Sequence, residues 1–233
     1  MPEASAARKL VIAIDGPAGA GKSTLASRLA RKLGYLNIET GAMYRALALK
    51  AIENDISLDD EETLIKVARH TSIKLQPMLD GNCVVLDGYD VSRRIRDEDV
   101  TSAASRVSVH PKVRQWMVER QREMGAEGGV VMEGRDIGTV VFPHADVKIF
   151  LDAAPEVRGS RRFQQVAGKS PAENAREAQV ILAEMRERDQ RDRTRVNSPL
   201  VPAKDAILID STNLALDQVI HKAEEIIGKK LSS

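Results

Sequence analysis

Residues 14–26, IDGPAGAGKSTLA, carry the strongest chemical signal in the chain. Gly16, Gly21, Lys22 and Ser23 fit the pattern G-x-x-x-x-G-K-[ST] without a mismatch. In such a loop, here Gly16, Pro17, Ala18, Gly19, Ala20, Gly21, Lys22, Ser23 and Thr24, glycines let backbone N–H groups turn inward around phosphate oxygens. The loop opens a helix whose dipole favours anions. Lys22 is spaced to reach the β- and γ-phosphates of a nucleotide, and the Ser23 hydroxyl to ligate Mg²⁺. The motif leaves the acceptor of the terminal phosphoryl group open: water, a protein, a metabolite or another nucleotide.

An anionic acceptor brought to an anionic donor needs its repulsion neutralised. Arginine does this well through bidentate contacts to phosphate. Arginines gather at three places. In ETGAMYR (39–45), Thr40, Tyr44 and Arg45 follow a second strand position, near the sheet edge where ligands bind in α/β folds. An ordinary helix start capped by Thr40 explains that stretch equally well. In MEGRDIG (132–138), Arg135 and Asp136 stand beside glycines at a strand end, which points to a site or to a salt-bridged turn. In MRERDQRDRTR (185–195), Arg188, Asp192 and Arg195 fall at i, i+4 and i+7 and share a helix face. Between 158 and 195 there are nine Arg and one Lys against six Asp and Glu. That surplus fits a closing lid that carries arginines to the phosphoryl group, or a solvated helix laced with ion pairs.

The elements that must hold these residues alternate. LVIAI (10–14) is apolar on both faces and reads as a buried parallel strand; KSTLASRLARKLG follows as a helix with Leu25, Leu29 and Leu33 on one face and Gly34 to end it. GGVVMEG (128–134), DVKIFLD (146–152) and AILIDST (206–212) read as further strands, and LDQVIHKAEEIIGKKL as a last helix. The alternation predicts a parallel sheet with helices on both faces. Two segments break it: 73–91, with two Asp-Gly turn signals, reads as an inserted antiparallel meander, and 155–197 as polar and helical. Residues 1–8 read as a frayed tail.

Composition narrows the classes. The 233 residues suit one α/β domain with insertions, or two small domains. Hydrophobic residues at 42% and charged residues at 30% suit a packed core and exclude global disorder. A net charge of +1 and 3% aromatics argue against a nucleic-acid partner. The single cysteine, Cys83, excludes an internal disulfide and reads as a buried small hydrophobe. The four histidines lack metal spacing. No stretch approaches membrane-spanning length and no signal peptide is visible, so a soluble, cytoplasmic chain with no membrane partner, monomeric by default, is expected. A GTPase lacks its guanine motif here, the nearest text being PAKD, and an ABC-type ATPase lacks its LSGGQ-like signature. A small-molecule kinase fits best.

Taken together, IDGPAGAGKST, ETGAMYRALAL, SAASRVSVHPKVR, EGRDIGTVVFPHADVKIFLDA, RDQRDRTR and PLVPAKDAILIDST closely resemble bacterial-type cytidylate kinase, a P-loop nucleoside monophosphate kinase. The resemblance runs from about Leu10 to the C-terminus, and GRDIGTVVFP and RDxRDRxR are its specific parts. It implies an α/β fold: a P-loop three-layer αβα core with a parallel sheet (9–39, 111–154 and 198–233), an inserted acceptor-binding region with a small antiparallel sheet (40–110), and a helical lid (155–197). The implied reaction moves the γ-phosphoryl of ATP to CMP or dCMP, with Mg²⁺. Carried over by position, Arg45, Arg135 and Arg195 grip the acceptor phosphate, Arg188 and Asp192 meet the sugar, and Ser105, Arg114 and Asp136 read the cytosine. Thr40 and Tyr44 border the acceptor, and Lys22 with Arg135, Arg188 and Arg195 stabilises the transferring group. A carboxylate at Asp136 accepts from the cytosine N4 amine and disfavours the carbonyl of uracil. Thr40 stands where serine also occurs, and Ser23 where threonine or glycine is also seen. Kinases of UMP, AMP or shikimate, and a P-loop ATPase switch, remain the alternatives.

Overall fold

The computed structural model describes residues 9–78, 81–166 and 171–232; the tail at 1–8 and Asp80 of the first Asp-Gly pair lie outside the described residues. In chain order the elements are β1 (Val11–Asp15), α1 (Lys22–Leu33), β2 (Leu36–Glu39), α2 (Thr40–Glu53), α3 (Glu61–Arg69), β3 (Ile73–Met78), β4 (Gly81–Leu86) and β5 (Tyr89–Asp90). Then follow α4 (Glu98–Val107), α5 (Pro111–Gly125), β6 (Val130–Gly134), β7 (Val147–Asp152), α6 (Pro155–Val166), α7 (Pro171–Thr194), β8 (Ile207–Asp210) and α8 (Leu216–Leu231).

Strand β1 is apolar throughout except for its last residue, and it lies at the centre of a parallel sheet ordered β2-β6-β1-β7-β8. Its alternate residues serve two cores, as a strand covered on both faces must. Ile12 and Ile14 pack with Leu25 and Leu29 of α1 and Val219 and Ala223 of α8. Ala13 faces the other way, with Ile38, Met132, Val118 of α5, and the π-helical turn Ile137–Val141. Burying each large aliphatic side chain stabilises the fold by about 1.5–3 kcal/mol. Helix α1 stops where predicted: Gly34 takes the left-handed conformation and its N–H closes the last turn.

The predicted meander is a three-stranded antiparallel sheet, β3-β4-β5, whose second turn is Asp87-Gly88 with both residues at positive φ. Pleating corrects the reading of Cys83. Asn82, Val84 and Leu86 point inward, so Cys83, one residue out of phase, is only half-buried. A separate core joins α2, α3, β4, α4 and the start of α5 through Met43, Leu47, Leu64, Val84, Val100 and Val113. Helix α5 thus begins in this core at Val113 and Met117 and enters the sheet core one residue later, at Val118.

Candidate active site

The C-terminal ends of β1, β2 and β6 converge on the phosphate loop, as the parallel sheet requires. Gly16 crosses the end of β7 so closely that a Cβ there would lie 1.9 Å from the Leu151 carbonyl oxygen, at a φ of +149°. Lys22 is buried, and its Nζ donates to the Pro17 carbonyl at 2.7 Å, across the loop. Burial, and then the charge of Arg135, lower its pKa. The Ser23 hydroxyl donates to Glu133 Oε1 at 2.6 Å. Burial raises the pKa of Glu133.

Helix α2 begins at Thr40, with Glu39 as its N-cap residue. Thr40 is therefore not the cap; its buried hydroxyl donates to the Glu133 carbonyl at 2.8 Å and ties α2 to β6. One turn on, Arg45 pairs with Glu39, and its Nε has no hydrogen-bond partner.

The residues after β6 build the opposite wall. Arg135 Nε donates to Asp192 Oδ2 at 2.9 Å. Asp136 pairs through Oδ2 with Arg114, which lies over the Tyr44 ring at 5.8 Å, and its Oδ1 is 4.0 Å from Arg195. Arg195 also reaches Asp192 Oδ1 at 3.6 Å and donates from Nε to the Ser198 carbonyl at 2.6 Å. Arg188 and Arg195 thus both act on Asp192, with Arg195 just past the end of α7. Ser105 is buried on α4 and joins this network through Ser108: Ser108 Oγ donates to the Ser105 carbonyl, and Arg114 donates to that of Ser108.

So many cations in one space perturb each other. Burial, with Arg135 beside it, pulls Arg188 down to about 10. Burial opposes ionisation of Asp192, but Arg135, Arg188 and Arg195 outweigh it and hold the carboxyl below its usual value. Burial pushes the Tyr44 phenol up to about 12. Arg45 Nε, Arg114 Nε, Arg188 Nε and one terminal nitrogen of Arg195 are all buried without a hydrogen-bond partner. Such donors are costly to leave unmade, and a tetrahedral oxyanion would satisfy them.

Four groups at the site were not singled out by sequence reasoning. Asp15 ends β1 and accepts from the backbone N–H groups of Ile137 (2.8 Å) and Gly138 (2.7 Å), fixing the turn that follows Asp136. Glu133 faces Ser23. Both are acids at the C-terminal end of an apolar strand, a signal the sequence does carry. Arg158 of α6 and Asp189 of α7 form a buried pair at 2.6 Å behind the loop, inside a charge-rich segment whose pattern fits a lid or a solvated helix. Among the described residues, no group of three or more His, Cys, Asp or Glu could hold a metal ion, and no helix is long and apolar enough to cross a membrane.

Known proteins resemble this chain over nearly all of its length. A family model described as cytidylate kinase matches residues 12–229. The cytidylate kinase of Solibacter usitatus (strain Ellin6076) is 46% identical over 226 residues, covering 97% of this chain and 95% of that protein. The cytidylate kinase of Geobacillus sp. (strain WCH70) is 47% identical over 221 residues, covering 94% and 97%. With the whole span from β1 to α8 matched at this identity, the chain belongs to the cytidylate kinase family.

Proposed function

We propose that this chain is an ATP-dependent kinase that phosphorylates CMP and dCMP, releasing ADP with CDP or dCDP. Family membership supports the reaction. The observation that carries the acceptor reading is the set of buried, unpartnered guanidinium nitrogens on Arg45, Arg114, Arg188 and Arg195. A nucleoside monophosphate supplies the acceptors they lack, on its phosphate, its sugar and its base, and the adjoining Asp136 supplies an acceptor for an exocyclic amine.

In this reading the backbone of Gly16–Thr24 and Lys22 hold the donor phosphates. Arg45, Arg135 and Arg195 hold the acceptor phosphate, Arg188 and Asp192 meet the sugar, and Ser105, Arg114 and Asp136 read the base. Thr40 and Tyr44 border the acceptor. Segment 40–110 binds the acceptor, 155–197 closes over it, and the remaining segments form the core. Mg²⁺ would be held by Ser23 with Glu133 beside it. Two adjacent protein oxygens, with other positions left to phosphate and water, are the pattern this ion favours. When bound it neutralises donor charge. No side chain need act as a strong base, because the acceptor is already an oxyanion. The chain contributes alignment, charge neutralisation and exclusion of water. It acts without nucleic acid, as its +1 charge supports, and as a cytoplasmic monomer.

The test is a coupled ADP-release assay with ATP·Mg²⁺ against CMP, dCMP, UMP, AMP, GMP and shikimate. Turnover with CMP and dCMP well above the others is expected. ATP hydrolysis alone, with no acceptor used, refutes the proposal.

A further inference from the structure

A second set of charged contacts reaches the carbonyl oxygens of the phosphate loop from α6. Arg158 is 3% exposed: Nε donates to the Ala153 carbonyl at 2.9 Å, and one terminal nitrogen donates to the Ala18 carbonyl at 3.0 Å and meets Asp189 Oδ2 at 2.6 Å. Arg161, one turn further along α6, lies 3.4 Å from the Ala20 carbonyl and is itself anchored on Ser211. The apex of the loop also rests directly on the two helices. A Cβ on Gly19 would lie 2.7 Å from the Met185 methyl of α7 and 3.1 Å from Arg158.

These contacts fall on particular peptide units. The Ala18 carbonyl shares its peptide with the Gly19 N–H, and the Ala20 carbonyl shares its peptide with the Gly21 N–H. A guanidinium on a carbonyl polarises the same unit's N–H and makes it a stronger donor. Asp189 then connects this device to the other half of the site. It follows Arg188 directly on α7, and about 100° of helical rotation turns the two side chains to different neighbours. Burial opposes the charge of Arg135, and Asp192, then Glu133 and last Asp189 offset it. The Oδ1 of Asp189 is buried with no hydrogen-bond partner.

We propose that Asp189, acting through Arg158, is a positioning residue that sets the phosphate loop for its nucleotide and links that loop to the arginines of the acceptor side. This rests on the kinase reading above, but its first readout does not depend on which acceptor is used. Asp189→Ala and Arg158→Met are expected to weaken binding of a non-hydrolysable ATP analogue by about 10- to 100-fold. The affinity for CMP measured alone stays within about twofold. In the native chain the analogue tightens CMP binding; in both variants that dependence falls away. Asp189→Asn keeps one acceptor oxygen and recovers part of the effect. Arg158→Lys does not, because an ammonium cannot span three acceptors as the planar fork does.

Calorimetric titration of each variant, with its melting temperature as a check on folding, distinguishes the outcomes. Unchanged analogue affinity in folded Asp189→Ala and Arg158→Met overturns the proposal. So does equal weakening of analogue and CMP, or a native chain in which the analogue leaves CMP affinity unaltered. A native chain that binds the analogue normally but phosphorylates neither CMP nor dCMP refutes the acceptor assignment instead, and the loss of analogue affinity in the variants still tests the role of Asp189.

Discussion

Asp136 engages Arg114 with one oxygen and lies 4.0 Å from Arg195 with the other, so its carboxylate is aimed by two cations. If it reads the cytosine amine, Asp136→Ala raises the KM for CMP by about 100-fold or more while that for ATP changes little, because a mismatched buried polar site is severely penalised. Equal effects on both substrates in steady-state kinetics would move Asp136 to the donor side. Lys22→Ala is expected to lower kcat by at least about 100-fold. Near-normal turnover contradicts the phosphate-loop assignment. Asp15 gives a pH signature. Burial pushes its carboxyl from 3.8 to about 6, so the folded chain keeps a proton that the unfolded chain has released. Stability from this group is fully present below about pH 4 and is lost as pH rises to about 6, by at most about 3 kcal/mol. Against Asp15→Asn, which does not titrate, the native melting temperature should fall across that window; a difference independent of pH contradicts it. Arg135, Asp136, Arg188 and Asp192 were legible in the sequence because charge beside glycine, and charge at helical spacing, are local patterns. Asp15 and Glu133 were missed because their significance depends on neighbours 122 and 110 residues away.

At the scale of elements, the close crossing of the loop over β7 makes Gly16→Ala a severe change. The added methyl meets a backbone oxygen, which cannot rotate away, and the φ is unfavourable to any side chain. A loss of about 2–4 kcal/mol is expected, read as a lower midpoint in urea, together with lost turnover. Ile12→Ala, in the central strand and fully buried, should cost about 2–5 kcal/mol by the same measurement with the phosphate loop untouched. The strands β1, β6, β7 and β8, helices α1 and α8, and the meander were all legible, since apolar runs bounded by Gly or Asp-Gly act within a few residues. The burial of Cys83 and the alternative of Thr40 as a helix cap failed for a shared reason. Strand phase and helix start are each fixed to a single residue by tertiary contacts, Val84 in its core and Thr40 on the Glu133 carbonyl.

Across the whole molecule, the alternation of predicted strands and helices yields the layers but not the order β2-β6-β1-β7-β8. That order follows from which apolar faces match, and it brings Asp15, Glu133 and Arg135 to one edge. It also has a consequence in time. Val11 pairs with Val130 on one side and Ile12 with Val147 on the other, so the first strand made has no partner until more than a hundred later residues exist. The buried members of the other core all lie between Ala42 and Met117, a span that is complete before β6 begins. Loop-closure entropy favours the shorter-range assembly. In pulsed hydrogen exchange during refolding, amides of α2, α4 and the first half of α5 should gain protection before those of β1. On the ribosome, the region assigned to the acceptor would be in shape before the loop assigned to ATP.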